Sequence, residues 1–292
     1  MKFATVNING RSAVAMVSPD SDQMWPIELL VGRPVTDMVD LIQHFQELRG
    51  SLQPKGSALS LSSAKLEAPI RQPRNILCIG KNYDEHAREF TISGFDNSAN
   101  GISEAIPSVP IVFTKSPGSV IGDGECITYP RGLSNCVDYE AELGVIIGKS
   151  GRGITREQAY NHVWGYTIIN DMTARDLQSQ HKQWFLGKSL DTFCPMGPWI
   201  VTSDEVDPTS LEVRSLVNGE LRQNGNTRDL IFDIPRLIET LSAGMTLIPG
   251  DVIATGTPAG VGIGFNPPRY LHPGDVVIIE ISGIGRLTNQ II

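Results

Sequence analysis

The stretch Asp138-Tyr-Glu-Ala-Glu-Leu-Gly-Val-Ile-Ile-Gly148 governs how this chain folds. Read as a strand over residues 139–147, it puts Glu140 and Glu142 on one face and Ala141, Leu143 and Val145 on the other. The run is too apolar to be an edge exposed along its whole length. Two adjacent carboxylates repel, and burying either one without a partner is costly. Two readings follow: a divalent cation shared by the pair, or a solvated face on which each Glu pairs with Lys or Arg.

A third carboxylate bears on that choice. Trp164-Gly-Tyr-Thr-Ile-Ile-Asn-Asp171 reads as a buried strand that ends in an acid. A helical pattern then runs from near Asp171 to about His181, with Asp171, Arg175 and Gln178 at i, i+4 and i+7 on one face. Asp171 has a structural reading as an N-cap. As a metal ligand it completes an all-oxygen triad with Glu140 and Glu142. Three carboxylates without His or Cys favour a hard ion, Mg2+ or Mn2+, with Ca2+ as a further candidate, over zinc.

Outward from this centre the chain divides in two. Residues 3–17 read as a hairpin turning at Asn9-Gly10. Met38, Val39, Leu41, Ile42, Phe45 and Leu48 follow a helical period. Residues 50–63 are rich in Ser, Gly and Pro and read as a linker. The composition changes near residues 66–72, which separates a small N-terminal α+β domain (1–68) from a catalytic domain (69–292). In the larger part, residues 75–80, 110–114, 139–147 and 163–169 are strand candidates. Residues 81–90 read as a loop with a short helix, and the Gly/Ser/Asn-rich residues 91–108 as a mobile lid. Pro249-Gly-Asp and Pro273-Gly-Asp each feed an apolar run, a turn entering a strand. Many short strands with few long helices predict an α+β, β-rich roll or barrel, not a doubly wound α/β sheet.

Composition narrows the function. The chain has 292 residues, is 40% hydrophobic and 19% charged, and carries a net charge of −8. That is an ordinary globular balance, and its sign disfavours nonspecific binding to nucleic acid or anionic membranes. No run approaches the roughly 20 apolar residues of a membrane helix, and the N-terminal stretch lacks a signal-peptide core. None of the four cysteines forms a Cys-x-x-Cys pair. They read as reduced thiols, which suits a cytoplasmic protein. There is no Gly-x-Ser-x-Gly, no dinucleotide fingerprint and no His-Glu-x-x-His.

Five stretches in order resemble the fumarylacetoacetate hydrolase superfamily, in its acylpyruvate hydrolase and oxaloacetate decarboxylase branch. They are Ile79-Gly-Lys-Asn-Tyr-Asp-Glu-His86-Ala-Arg-Glu89, Tyr139-Glu-Ala-Glu-Leu-Gly144, Asn170-Asp-Met-Thr-Ala-Arg-Asp176, Gly187-Lys-Ser-Leu-Asp191 and Ala254-Thr-Gly-Thr-Pro-Ala-Gly-Val-Gly262. The resemblance implies a mixed β-roll preceded by a small N-terminal domain, and a homodimer. It implies Glu140, Glu142 and Asp171 as metal ligands, and His86 and Glu89 as a catalytic dyad on a short helix over the substrate. Lys188 is implied as an active-site lysine, with Arg175, Gln178 and Thr257 near the substrate. Without the resemblance, His86 reads as an exposed loop residue, Lys188 as a surface lysine and Thr257 as turn chemistry.

The substrate so implied is a small 2-oxo acid. The favoured activity is hydrolysis of a carbon–carbon bond in a 2,4-dioxo acid, giving pyruvate and a carboxylic acid. His86 would take a proton from water while Glu89 orients it, and the cation would stabilise enolate charge. Alternatives are oxaloacetate decarboxylation, hydration or isomerisation of an unsaturated 2-oxo acid, and, outside catalysis, a dicarboxylate-binding protein.

Overall fold

The computed structural model describes every residue except Gln72, Pro73, Asn97 and Asn100. The chain opens with the expected hairpin, β1 (Lys2–Ile8) and β2 (Arg11–Val17). Asn9 and Gly10 both take positive φ, 53° and 85°, which matches the turn to the twist of the strands. Next come β3 (Gln23–Pro26), α1 (Ile27–Val31) and α2 (Met38–Leu48). Asp37 caps α2 by accepting the Asp40 N–H, and Met38, Leu41, Ile42, Phe45 and Leu48 form its buried face. The segment read as a linker contains the two-residue strand β4 (Leu59–Ser60), and β5 (Lys65–Glu67) follows.

The remaining elements alternate strands with short helices. They are β6 (Ile76–Gly80), α3 (Asp84–Ile92), β7 (Ile111–Lys115), β8 (Val120–Ile121), β9 (Val137–Asp138), β10 (Ala141–Ile147) and β11 (Val163–Asn170). After these come β12 (Thr173–Ala174), α4 (Arg175–Gln180), α5 (Phe185–Lys188), β13 (Cys194–Thr202), β14 (Glu212–Val217) and β15 (Glu220–Asn226). The chain closes with α6 (Ile234–Ser242), β16 (Val252–Ala254), β17 (Val276–Ile281) and β18 (Gly285–Gln290).

One large sheet runs β4-β3-β2-β1-β13-β11-β10-β16-β6-β7, with β5 on β1 and β8 on β13. It is mixed: β16–β6 and β13–β8 are parallel pairs, the others antiparallel. Strands from the first 68 residues thus share a sheet with later ones, through β1 and β13. A second, antiparallel sheet runs β15-β14-β17-β18. The strand-rich mixed architecture expected from the sequence is the one observed.

The central strand β10 shows why. Leu143, Val145 and Ile147 face a core shared with Val213, Ile279 and Leu287 of the second sheet and with Leu237 and Leu241 of α6. Ile146 points the other way, into the core covered by α2. There Trp164 packs between Phe3 and Phe45, with ring centroids 5.6 and 5.5 Å away. Fully buried apolar side chains of this size each contribute about 1.5–3 kcal/mol, so the two faces hold β10 from both sides.

Two sequence expectations are corrected. Asp171 does not begin a helix. Its N–H donates to the Glu140 carbonyl at 2.9 Å, β12 pairs with β9, and α4 starts only at Arg175. Sheet-type hydrogen bonds to a distant segment outweigh the local helical pattern, so Asp171, Arg175 and Gln178 do not share a helical face. The segment read as a lid is partly built into the fold: α3 extends to Ile92, and Asp96 forms a buried ion pair with Lys81 at 2.7 Å. Asn97 and Asn100 of that segment lie outside the described residues.

Candidate metal centre and active-site cleft

The registry of β10 with β11 sets Ala141 opposite Asn170. That brings Glu140 and Glu142, two residues apart, up against Asp171 just past the end of β11. Each of the three offers an oxygen, all within 4.8 Å of one another, and among the described residues no other such cluster occurs. Their exposures are 4%, 1% and 0%, which eliminates the solvated-face reading.

Three buried cations surround them. Lys188 donates from Nζ to Glu140 Oε2 and Asp171 Oδ2, both at 2.8 Å. Lys115 pairs with the other Asp171 oxygen and with the Met172 carbonyl. Arg175 donates from Nε to Asp138 at 2.9 Å and from Nη1 to Glu140 at 2.7 Å. Burial alone would raise the Glu140 pKa, but Lys188 and Arg175 outweigh it and hold the group at about 2. Burial likewise works against the Lys188 ammonium, and Asp171 and Glu140 more than compensate, raising its pKa.

Glu142 is different. It receives the Gly256 N–H at 2.8 Å. Burial, with Asp171 and Glu140 beside it, pushes its pKa well above the carboxylate range. With Glu142 ionised, four buried carboxylates (Asp138, Glu140, Glu142, Asp171) face three buried cations (Lys115, Arg175, Lys188), one negative charge in excess. A divalent cation turns that excess into one net positive charge, and the all-oxygen donor set suits a hard ion.

The dyad arrives from α3. Asp84 and Glu85 in its first turn complement the helix dipole, and His86, Ala87 and Phe90 are its buried face. His86 Nδ1 lies 3.4 Å from Glu89 Oε2. Glu89 also accepts the Gly260 N–H, at 3.1 Å to Oε1. A carboxylate at Nδ1 favours the proton there and leaves Nε2 as the basic nitrogen. The helix docks tightly: a Cβ on Gly264 would lie 1.7 Å from Glu89 Oε1.

The loop after β16 closes the site. Asn82, fully buried, donates to the carbonyls of Thr255 (2.7 Å) and Phe232 (3.0 Å). Gly256 sits at φ 103°, where an added Cβ would meet the Asn82 Cβ at 2.6 Å, so only glycine fits. The Thr257 hydroxyl donates to the Ala141 carbonyl at 2.9 Å and accepts from Gln223 Nε2 at 2.7 Å. It therefore has no proton to offer a ligand.

These groups line a narrow cleft with about 10 Å3 of free space, room for about one water. His86, Glu140, Glu142, Arg175, Gln178, Lys188 and Thr257 all face it, together with Phe90, Phe113 and Trp184. Glu89 and Asp171 bond directly to that set. Every site residue expected from the sequence therefore meets in one place. Gln178 Oε1 accepts from Arg175 Nη1 at 3.3 Å. The remaining guanidinium nitrogen, Arg175 Nη2, is buried with no hydrogen-bond partner, an orphan donor that calls for an anionic ligand.

The sequence reading missed four residues. Lys115 ends a strand and gave no signal. Asp138 stood in the decisive stretch, but its partners, the N–H groups of Gly262 and Ile263 at 2.6 and 3.0 Å, are more than 120 residues away. Asn82 and Gln223 are polar residues in polar surroundings, and nothing local marks them as buried.

The model of the fumarylacetoacetate (FAA) hydrolase C-terminal region matches residues 75–292. The chain belongs to the fumarylacetoacetate hydrolase family. It is 46% identical to the oxaloacetate tautomerase YisK of Bacillus subtilis over a 310-position alignment covering all of both proteins. Among solved structures it resembles a fumarylacetoacetate hydrolase of Exiguobacterium antarcticum, at 41% identity and TM-score 0.84, covering 100% of this chain and 99% of that one. It also resembles a maleylpyruvate hydrolase of Sphingobium sp. SYK-6 bound to manganese(II) and pyruvate, at 33% identity and TM-score 0.81, with the same coverage. Family members thus include hydrolases and a tautomerase, and the acidic triad is a donor set of the kind that suits the manganese(II) bound in that relative. Among the described residues no helix is long and apolar enough to cross a membrane, and all four cysteines are free thiols.

Proposed function

We propose that this protein interconverts the keto and enol forms of a small 2-oxo dicarboxylic acid of the oxaloacetate type. The observation that carries the reading is the meeting of His86, an orphan Arg175 donor and the carboxylate triad in one small cleft. The similarity to an oxaloacetate tautomerase along the whole chain supports it.

A hard divalent ion held by Glu140, Glu142 and Asp171 would polarise the 2-oxo carbonyl as a Lewis acid. The protein's own groups do the rest. His86 Nε2 takes the proton from the carbon next to the carbonyl and delivers it to the 2-oxygen, and the reverse path carries it from oxygen back to carbon, while Glu89 fixes the ring through Nδ1. Arg175 Nη2 receives a substrate carboxylate. Lys188 gives two of its three donors to Glu140 and Asp171, and the third faces the developing oxyanion. Gln178, its carbonyl oxygen already bonded to Arg175, presents its NH2 group to the cleft.

Hydrolysis of a 2,4-dioxo acid is the second reading. The His86–Glu89 pair, able to activate water as readily as a C–H, favours it, as does the similarity to a maleylpyruvate hydrolase. One experiment separates the two. Chelator-stripped protein is mixed with oxaloacetate or acetylpyruvate, with and without Mg2+ or Mn2+. Metal-restored decay of the oxaloacetate enol without pyruvate release is the expected result. Stoichiometric pyruvate from acetylpyruvate, with enol decay no faster than in buffer, would replace the tautomerase with the hydrolase.

A further inference from the structure

Trp184 stands between two cavities. Its neighbours Lys182, Gln183, Phe185 and Leu186 are all exposed, yet the indole is only 9% exposed. It turns inward against Phe90 and Phe113, with ring centroids 5.9 and 5.2 Å away and steep interplanar angles of 87° and 66°. Its six-membered ring lies on Gly80: a Cβ there would fall 2.3 Å from Cζ3. On its inner side is the cleft with the carboxylates. On its outer side a crevice of about 170 Å3, partly open to solvent, runs past Ser98, Ile111, Val112, Lys182 and Gln183.

Among the described residues, Trp184 and Phe113 alone line both spaces, so these two rings form the partition. They are not held equally. Phe113 belongs to β7 and is locked in the ladder opposite Cys78. Trp184 precedes the four-residue α5 and follows a turn in which Lys182 has φ 57°. The indole is the half not tied into a sheet.

We propose that Trp184 sets the length of substrate the site accepts. The inference rests on the reading of the cleft as a 2-oxo acid site. With the indole seated on Gly80, the wall stands and the site is restricted to short acids of oxaloacetate size. With it displaced, the cleft continues into the outer crevice and admits 2-oxo acids bearing long or aromatic acyl groups. Gly80 has this role because any side chain there would push the ring off its seat. Clefts discriminate modestly on bulk, by about 10–200-fold per methylene, and a ring-sized wall lies at the upper end.

The test is binding, not turnover. Calorimetric affinities of Mn2+-loaded protein for oxaloacetate and benzoylpyruvate are compared in the wild type, Trp184→Ala, Trp184→Phe and Gly80→Ala. Wild type is expected to prefer oxaloacetate. Trp184→Ala should shift the ratio toward benzoylpyruvate by at least about tenfold. Gly80→Ala, which dislodges the indole without removing it, should shift it in the same direction. Should Trp184→Ala fail to fold, Trp184→Phe and Gly80→Ala decide. A ratio within about twofold of wild type in folded variants, or a wild type that already binds benzoylpyruvate as tightly as oxaloacetate, overturns the proposal. Because the readout is affinity, a protein that binds these acids without tautomerising them counts against the proposed reaction alone.

Discussion

Gln223 donates a 2.7 Å hydrogen bond to the Thr257 hydroxyl, so a side chain of the second sheet fixes a loop of the first. The same Gln223 NH2 group donates to the Pro258 carbonyl at 2.7 Å, and its carbonyl oxygen accepts the Ala141 N–H at 3.0 Å. Ala141 lies between two metal-ligand candidates, and Gln223 is fully buried.

Replacing Gln223 with Leu strands the Ala141 N–H in the interior. An unsatisfied buried group costs about 1–3 kcal/mol, so urea unfolding should show a loss of that order. Metal affinity should fall with it, because the backbone between Glu140 and Glu142 loses its tether. Calorimetric titration with Mn2+ checks this; unaltered affinity would confine Gln223 to packing.

Lys115 and Asp171 are both fully withdrawn from solvent. Removing one partner of a buried pair typically costs about 3–5 kcal/mol. Lys115→Met should therefore melt earlier than wild type in chelator. Mn2+ should stabilise it more than it stabilises wild type, since the ion replaces a missing positive charge beside Asp171. Thermal melts with and without metal read both effects, and an equal Mn2+ increment in the two proteins would contradict the second.

Glu142 makes the metal-free protein sensitive to pH. Burial with Asp171 and Glu140 nearby raises its pKa in the folded state, while in the unfolded chain it titrates near about 4.3. Between those values the folded form binds more protons, so stability falls as pH rises. Melts in chelator should show a declining Tm from about pH 5 upward. Glu142→Gln, which carries no charge to bury, should flatten the decline.

His86→Ala should slow enolisation by about 10²–10⁴-fold, the usual range for a general acid–base group, and leave Mn2+ affinity intact. Chelation should silence both proteins. A His86→Ala variant that loses metal would show that His86 supports the triad instead.

Glu140, Glu142 and Asp171 were legible because their chemistry is local. Carboxylates set into apolar strand patterns have to be explained wherever the chain goes. The β-rich fold class, the hairpin at Asn9-Gly10 and the α2 face were legible for the same reason: period and turn chemistry are properties of neighbouring residues. The family motifs added His86, Glu89, Lys188, Arg175, Gln178 and Thr257, residues whose bare local reading was bland.

The helix assigned from Asp171 failed where a local pattern met a long-range competitor. The Glu140 carbonyl and strand β9 took the hydrogen bonds that a helix would have used. Lys115, Asp138, Asn82 and Gln223 were invisible for a related reason. Each is polar and unremarkable along the chain, and becomes specific only when burial removes water and leaves a distant backbone group or charge as its partner. The sequence, with its family motifs, singled out the acidic triad and the residues that meet it in the cleft, and favoured a hard cation for them. Only the tertiary structure decided their orientation, that Thr257 gives its hydroxyl proton to the Ala141 carbonyl, and that Trp184 lines the cleft. Those outcomes depend on contacts between residues tens to hundreds of positions apart, and no local period encodes them.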